Sequence, residues 1–178
     1  MSHGHRHQES PAVSMATMAK LLSNSAIQER LFRPFQYNND DDIPYIAGYS
    51  TDGNTIYYDR HLPETIFLKL DGHKKDIQPR QFLKLHESLE KAIIDALGWS
   101  YYPAHAAATA YERRGVLQVL GPQWWVPYQH EMDGYAKADE HEKIKRVPKD
   151  LDMTPYKDAH DTRLIKAIHN AQKNQSKS

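Results

Sequence analysis

Residues 79–98 read PRQFLKLHESLEKAIIDALG, and this stretch decides the fold. Pro79 suits the first turn of a helix, and Gly98 suits the position just past its end. Between them Phe82, Leu85, Leu89, Ile93 and Ala96 recur at helical spacing. The spacing predicts a helix from about Pro79 to Leu97. His86 falls on its apolar stripe, between Leu85 and Leu89, and Glu90 lies one turn on at the edge of that stripe. A separation of four residues puts both side chains on one helix face.

A second helix is expected from near Pro103 to just before Gly115. It is rich in alanine (Ala104, Ala106, Ala107, Ala108, Ala110), which lets another backbone pack closely, and the first helix is the expected partner. His105 and Glu112, seven residues apart, share a face with Ala108. Two imidazoles and two carboxylates therefore project from neighbouring helices.

A lone buried histidine is more often a hydrogen-bonded core residue than a ligand. A buried carboxylate beside it changes the reading, because an isolated buried charge is costly unless it is paired or bound to metal. Two His/Glu pairs on adjacent core-facing helices point to a divalent metal held by His86, Glu90, His105 and Glu112. The competing reading makes His86–Glu90 and His105–Glu112 buried ion pairs that lock the helices together. Nitrogen and oxygen donors suit zinc, manganese or iron, with zinc the leading expectation. Glu87 follows His86 directly, where a metal hydrolase places its general base; read alone, it is an exposed helix carboxylate.

Upstream the pattern turns to β. Tyr45–Tyr49, Thr55–Leu62 and Ile66–Leu70 read as strands, and Thr51-Asp52-Gly53-Asn54 is a strong turn between the first two. Asp71-Gly72 ends the third. A helix is expected earlier, from Ala16 to Phe32. Residues 1–15 read as a disordered His-rich tail, residues 16–172 as one α+β domain, and residues 173–178 as a second tail. After Gly121-Pro122, the pair Trp124-Trp125 reads as core. A polar helix is expected over Glu131–Lys145, a loop over Val147–Tyr156 and a last helix over Asp161–Gln172. His130-Glu131 and His141-Glu142 read as solvated; His61, Tyr101 and Tyr102 read first as packing or surface residues that could also line the site.

Composition excludes several function classes. Lys and Arg number 23, as do Asp and Glu, so nothing marks a nucleic-acid or anionic-membrane surface. No apolar run has transmembrane length and no signal-peptide core follows Met1. Cysteine is absent, which removes disulfides and thiolate chemistry and fits a cytoplasmic protein.

The order of these elements resembles the zincin metallopeptidases, which place an edge strand before a helix bearing H-E-x-x-H and a further ligand on a later helix. The match covers about Thr55 to Glu112. The resemblance implies that His86 is a ligand and Glu87 the base. The second His of the motif is Glu90 here, so the chain reads H-E-x-x-E, and the third ligand is His105 or Glu112. It also implies an extended peptide or protein substrate held by strand pairing. The chain is also similar to small uncharacterised proteins of bacteria and their phages.

The fold expected is α+β, a small antiparallel β-sheet packed against a helical bundle, zincin-like. The leading function is a metal-dependent hydrolase, a zincin-like peptidase using a metal-activated water and Glu87 as general base. The alternative is a non-enzymatic bacterial or phage accessory protein in which the His/Glu cluster is a structural metal site or a buried polar network. A two-metal hydrolase sharing the carboxylates would hold ions about 3.5–4 Å apart.

Overall fold

The helix containing the H-E-x-x-E segment forms as its spacing requires. The structure, a computed structural model, describes residues 13–136 and 143–176. Most of the His-rich tail, His141-Glu142 and the last two residues lie outside them. In chain order the helices are α1 (Met15–Ser23), α2 (Ser25–Leu31), α3 (Arg80–Leu97), α4 (Tyr101–Leu120), α5 (Trp125–Ala136), α6 (Thr154–Asp158) and α7 (Thr162–Gln175). The strands are β1 (Gln36–Asn38), β2 (Ala47–Tyr49), β3 (Thr55–Tyr58), β4 (Ile66–Leu70) and β5 (His73–Ile77). The chain is thus mixed α+β and mostly helical. No helix among the described residues is long and apolar enough to cross a membrane.

The sheet expected to be antiparallel is mixed. β3 is central in a three-stranded sheet, antiparallel to β2 and parallel to β1. β1 was not visible in the sequence because Gln36-Tyr37-Asn38 is largely exposed and carries no alternation. β5 was missed for the same reason: of His73–Ile77 only Ile77 is buried. The Asp71-Gly72 turn does more than end β4. Both residues have positive φ, 47° and 79°, the signature of a two-residue hairpin turn that returns the chain antiparallel as β5.

Several helix boundaries also differ from expectation. The single helix expected over Ala16–Phe32 is broken at Asn24, whose backbone is extended. Its side chain accepts hydrogen bonds from the Ala26 and Ile27 amides at 3.0 and 3.2 Å and so starts α2 anew. The helix expected to stop before Gly115 runs on to Leu120, and Gly121 (φ 102°) with Pro122 ends it. Gly115 is a point of close approach: a Cβ there would collide with the Leu85 side chain of α3. α4 also starts at Tyr101, two residues before Pro103, because Asp158 of α6 accepts from the Tyr101 amide at 2.8 Å. Toward the C-terminus, α6 begins inside the expected loop and runs two residues past it, and α7 is capped by Asp161 and extends to Gln175.

α3 and α4 are joined by only three residues and pack along their length as an antiparallel pair. Ala104, Ala107 and Ala108 are fully buried between them and their neighbours. One end of α3 (Phe82, Leu83) belongs to the core shared with the sheets, Trp124, Tyr128 and Met132. The next turns (Leu89, Ala92, Ile93) belong to the core shared with α1 and α2. A third cluster on α6 and α7 covers Ile43 and Tyr57. His86 and Glu90 sit where the first two cores meet.

Candidate metal centre between the paired helices

The antiparallel pairing brings together what each helix carries separately. Glu90 meets His105 near the link between the helices, and His86 meets Glu112 farther from it. The ion pairs therefore run across the interface: His86 Nδ1 to Glu112 Oε2 at 2.9 Å and His105 Nδ1 to Glu90 Oε2 at 2.9 Å. Of the within-helix pairs the sequence suggests, His86 Nε2 also approaches Glu90 Oε2, at 3.3 Å. Glu112 turns to the other helix instead.

Three donor atoms converge. His86 Nε2 lies 3.0 Å from His105 Nδ1, and Glu90 Oε2 lies 3.3 and 2.9 Å from the two nitrogens. A tetrahedral site with bonds of about 2.0–2.1 Å has edges of roughly 3.3–3.4 Å, so this triangle is close to one face of such a site, slightly contracted. His86, Glu90 and His105 form a group with metal-ligand spacing, whereas Glu112 contacts the opposite nitrogen of His86. Of the four residues the sequence proposes as ligands, three share one focus and the fourth stands behind one of them.

The surroundings are tightly built. Glu90 is 3 % exposed and His86 7 %. The His105 side chain is 40 % exposed, and of the three it is the one that meets solvent. The Tyr101 ring lies tilted against His105, with centroids 5.0 Å apart. Tyr49 of β2 donates to Glu90 Oε1 at 2.9 Å, and Tyr128 of α5 donates to Glu112 Oε1 at 2.5 Å. Burial and the neighbouring carboxylates hold both phenols well above their usual pKa, so both remain donors.

Electrostatics follow from this packing. Burial opposes charging of His86, but hydrogen bonds to Glu112 and Glu90 outweigh it and raise its pKa well above the ordinary imidazole value. For Glu90, burial works against the carboxylate, and the hydrogen bonds from His105 and His86 prevail, lowering it to about 2. Glu87 is the contrast. It is buried, no hydrogen bond from the described residues holds its carboxyl, and burial raises its pKa to about 8; His86 opposes this and Glu90 and Glu112 add to it. The sequence allowed an exposed helix carboxylate at this position; the structure puts a buried one beside the cluster.

His61 is not part of this centre. It is exposed and belongs to a separate Asp42/Asp59/His61 group with metal-ligand spacing. There Arg60 pairs with Asp42 at 2.7 Å, and Asp42 also accepts from the Lys145 and Arg146 amides. Asp59 accepts from the Ile43 and His61 amides. These carboxylates staple loops. His130 is exposed, as the sequence suggests.

No protein-family model matches the chain, and no curated protein or solved structure does.

Tyr49 and Tyr128 are the site residues that sequence reasoning missed. Only the abundance of tyrosine, 11 in the chain, hinted that phenols would finish the carboxylates. The strand expected to hold substrate is also differently placed. Thr55–Tyr58 has a neighbour on each side, so its backbone has no free edge for pairing with an extended peptide.

Proposed function

We propose that this protein is a metal-dependent hydrolase in which His86 Nε2, His105 Nδ1 and Glu90 Oε2 hold one divalent ion, zinc by preference, and Glu87 acts as general base. The observation that carries this reading is the convergence of two imidazole nitrogens and one carboxylate oxygen within 3.3 Å of one another. Two His and one Glu with a fourth position left over is a donor set used by catalytic zinc. When bound, the ion would lower the pKa of water at its open position and polarise a carbonyl. The half-exposed His105 supports a site that water and substrate reach from that side. Glu87 supports the base assignment by its place: it is buried and adjacent in sequence to a ligand, and in the metal-free site burial raises its carboxyl, so that it can hold a proton there. A peptide bond is the substrate that the zincin resemblance implies. With β3 closed on both sides, a peptide would approach past His105 rather than by pairing with that strand.

One observation favours the non-enzymatic reading. Both oxygens of Glu90 and of Glu112 and both nitrogens of His86 already have partners within the protein, so the network closes without an ion. The deciding experiment measures zinc content and hydrolysis together. Protein carrying His3→Ala, His5→Ala and His7→Ala, so that the N-terminal histidines do not bind, is expected to hold one zinc per chain and to cleave fluorescently labelled casein. Glu87→Gln is expected to retain the zinc and lose at least about 100-fold in rate, the lower end of what a general base contributes. Zinc bound with equal and negligible hydrolysis in both proteins would leave a structural metal, and no zinc at all would leave a buried polar network.

A further inference from the structure

We infer that Glu112 is a positioning residue rather than a ligand: together with Tyr128 it fixes His86 as the Nδ1–H tautomer and aims the Nε2 lone pair at the ion. The inference rests on the metal reading above and assigns roles within that site.

The argument is one of protons. Glu112 Oε1 accepts from the Tyr128 hydroxyl at 2.5 Å, and Oε2 lies 2.9 Å from His86 Nδ1. An ionised carboxylate only accepts, so the proton in the second contact belongs to Nδ1. In the neutral ring the free lone pair is then on Nε2. That is the atom facing His105 Nδ1 and Glu90 Oε2, at 3.0 and 3.3 Å. A carboxylate behind a ligating imidazole sets its tautomer and ring plane and makes it a stronger donor.

Packing keeps Glu112 in this role. Tyr128 is 1 % exposed, with its ring edge-on to Phe82 at 5.4 Å. Glu112 is itself buried, so turning toward the ion would leave both the phenol and Nδ1–H without an acceptor. Glu90 is arranged differently. Tyr49 takes only its Oε1, which leaves Oε2 at the focus as a single-oxygen donor.

The test is a cobalt(II) titration of the full chain carrying His3→Ala, His5→Ala and His7→Ala, so that the N-terminal histidines do not compete. The visible cobalt absorption reports the ligand set. Glu112→Gln is expected to bind one equivalent with an unchanged spectrum and about 10–100-fold lower affinity, the usual effect of removing such a partner. Tyr128→Phe should do the same more weakly. Glu90→Gln and His105→Ala should alter the spectrum or abolish binding. Nitrogen-resolved NMR of the zinc-loaded protein should show a proton on His86 Nδ1. A spectrum changed by Glu112→Gln as it is by Glu90→Gln, an affinity unchanged by it, or a proton on Nε2 would each overturn the assignment. If Glu112→Gln does not fold, Tyr128→Phe and the NMR tautomer decide alone. A wild type that binds no cobalt overturns the metal reading and this inference together. A wild type that binds it with Glu112 behaving as a ligand overturns only the inference.

Discussion

The Tyr49 hydroxyl lies 2.9 Å from Oε1 of Glu90, and this contact ties the three-stranded sheet to the paired helices at the site. Tyr49 is 2 % exposed, so no water replaces the phenol if it is lost. Tyr49→Phe should destabilise the protein by about 1–3 kcal/mol, the cost of leaving a buried acceptor unsatisfied. It should also weaken zinc by about 10–100-fold. Urea unfolding and a competitive zinc titration read the two effects; no change in either would make the contact incidental.

Zinc should stabilise the fold through His105. That side chain is half-exposed, so His105→Ala removes a donor with little loss of packing, at the cost of one hydrogen bond to the buried Glu90. At free zinc near one hundred times the dissociation constant, the wild type should gain about 2.7 kcal/mol over the metal-free protein. His105→Ala should gain far less under the same conditions. Equal stabilisation of both proteins would place the bound ion elsewhere.

The metal-free protein should lose stability as pH rises from about 4.5 to about 8 because of Glu87. Its carboxyl moves from 4.5 to about 8 on folding, so between these values the native state binds a proton that the unfolded chain has released. The contribution is full below the lower value and is gone above the upper. Glu90 acts in the opposite sense and lower down. Its pKa falls to about 2, so its contribution is present above 4.5 and lost as pH drops toward 2. Glu87→Gln should therefore flatten the profile between about pH 4.5 and 6.5, leaving the acid limb in place and, above 6.5, the slope that His86 adds as pH approaches its raised pKa. Parallel profiles for variant and wild type between pH 5 and 8 would refute the assignment.

Ala108 separates His105 from Glu112 on α4 and is 0 % exposed. Ala108→Leu would insert a larger side chain where the helices meet. Overpacking should cost about 1–3 kcal/mol and push the donor triangle apart. Thermal unfolding should show the loss without zinc, and zinc should restore less stability than in the wild type. A variant as stable and as tightly zinc-binding as the parent would show that the interface has slack.

Much of the site was legible from side-chain periodicity. Four- and seven-residue spacings on two adjacent helices, with small residues between, were enough to single out His86, Glu90, His105 and Glu112. The start and end of α3 followed from Pro79 and Gly98. β1 and β5 were illegible because a strand with one or no buried side chain shows no alternation, and its pairing is supplied by a neighbour. Gly115 suggests a helix stop because a glycine in a helix interior is unfavourable in isolation; here it sits inside α4, where the Leu85 side chain packs into the space a Cβ would fill. The N-terminal cap on α4 and the phenols on both carboxylates came from residues 16 to 57 positions away, beyond any local pattern.

By itself the sequence determined that two helices would each present an imidazole and a carboxylate on one face, because helical geometry maps spacing onto direction. Only the tertiary structure decided which carboxylate serves which imidazole. The antiparallel helix pair crosses the partners, and the packed phenols of Tyr49 and Tyr128 each occupy one carboxylate oxygen. What remains facing the focus is Nε2 of His86, Nδ1 of His105 and Oε2 of Glu90, a selection made by the register of two helices and by the layers that close on them.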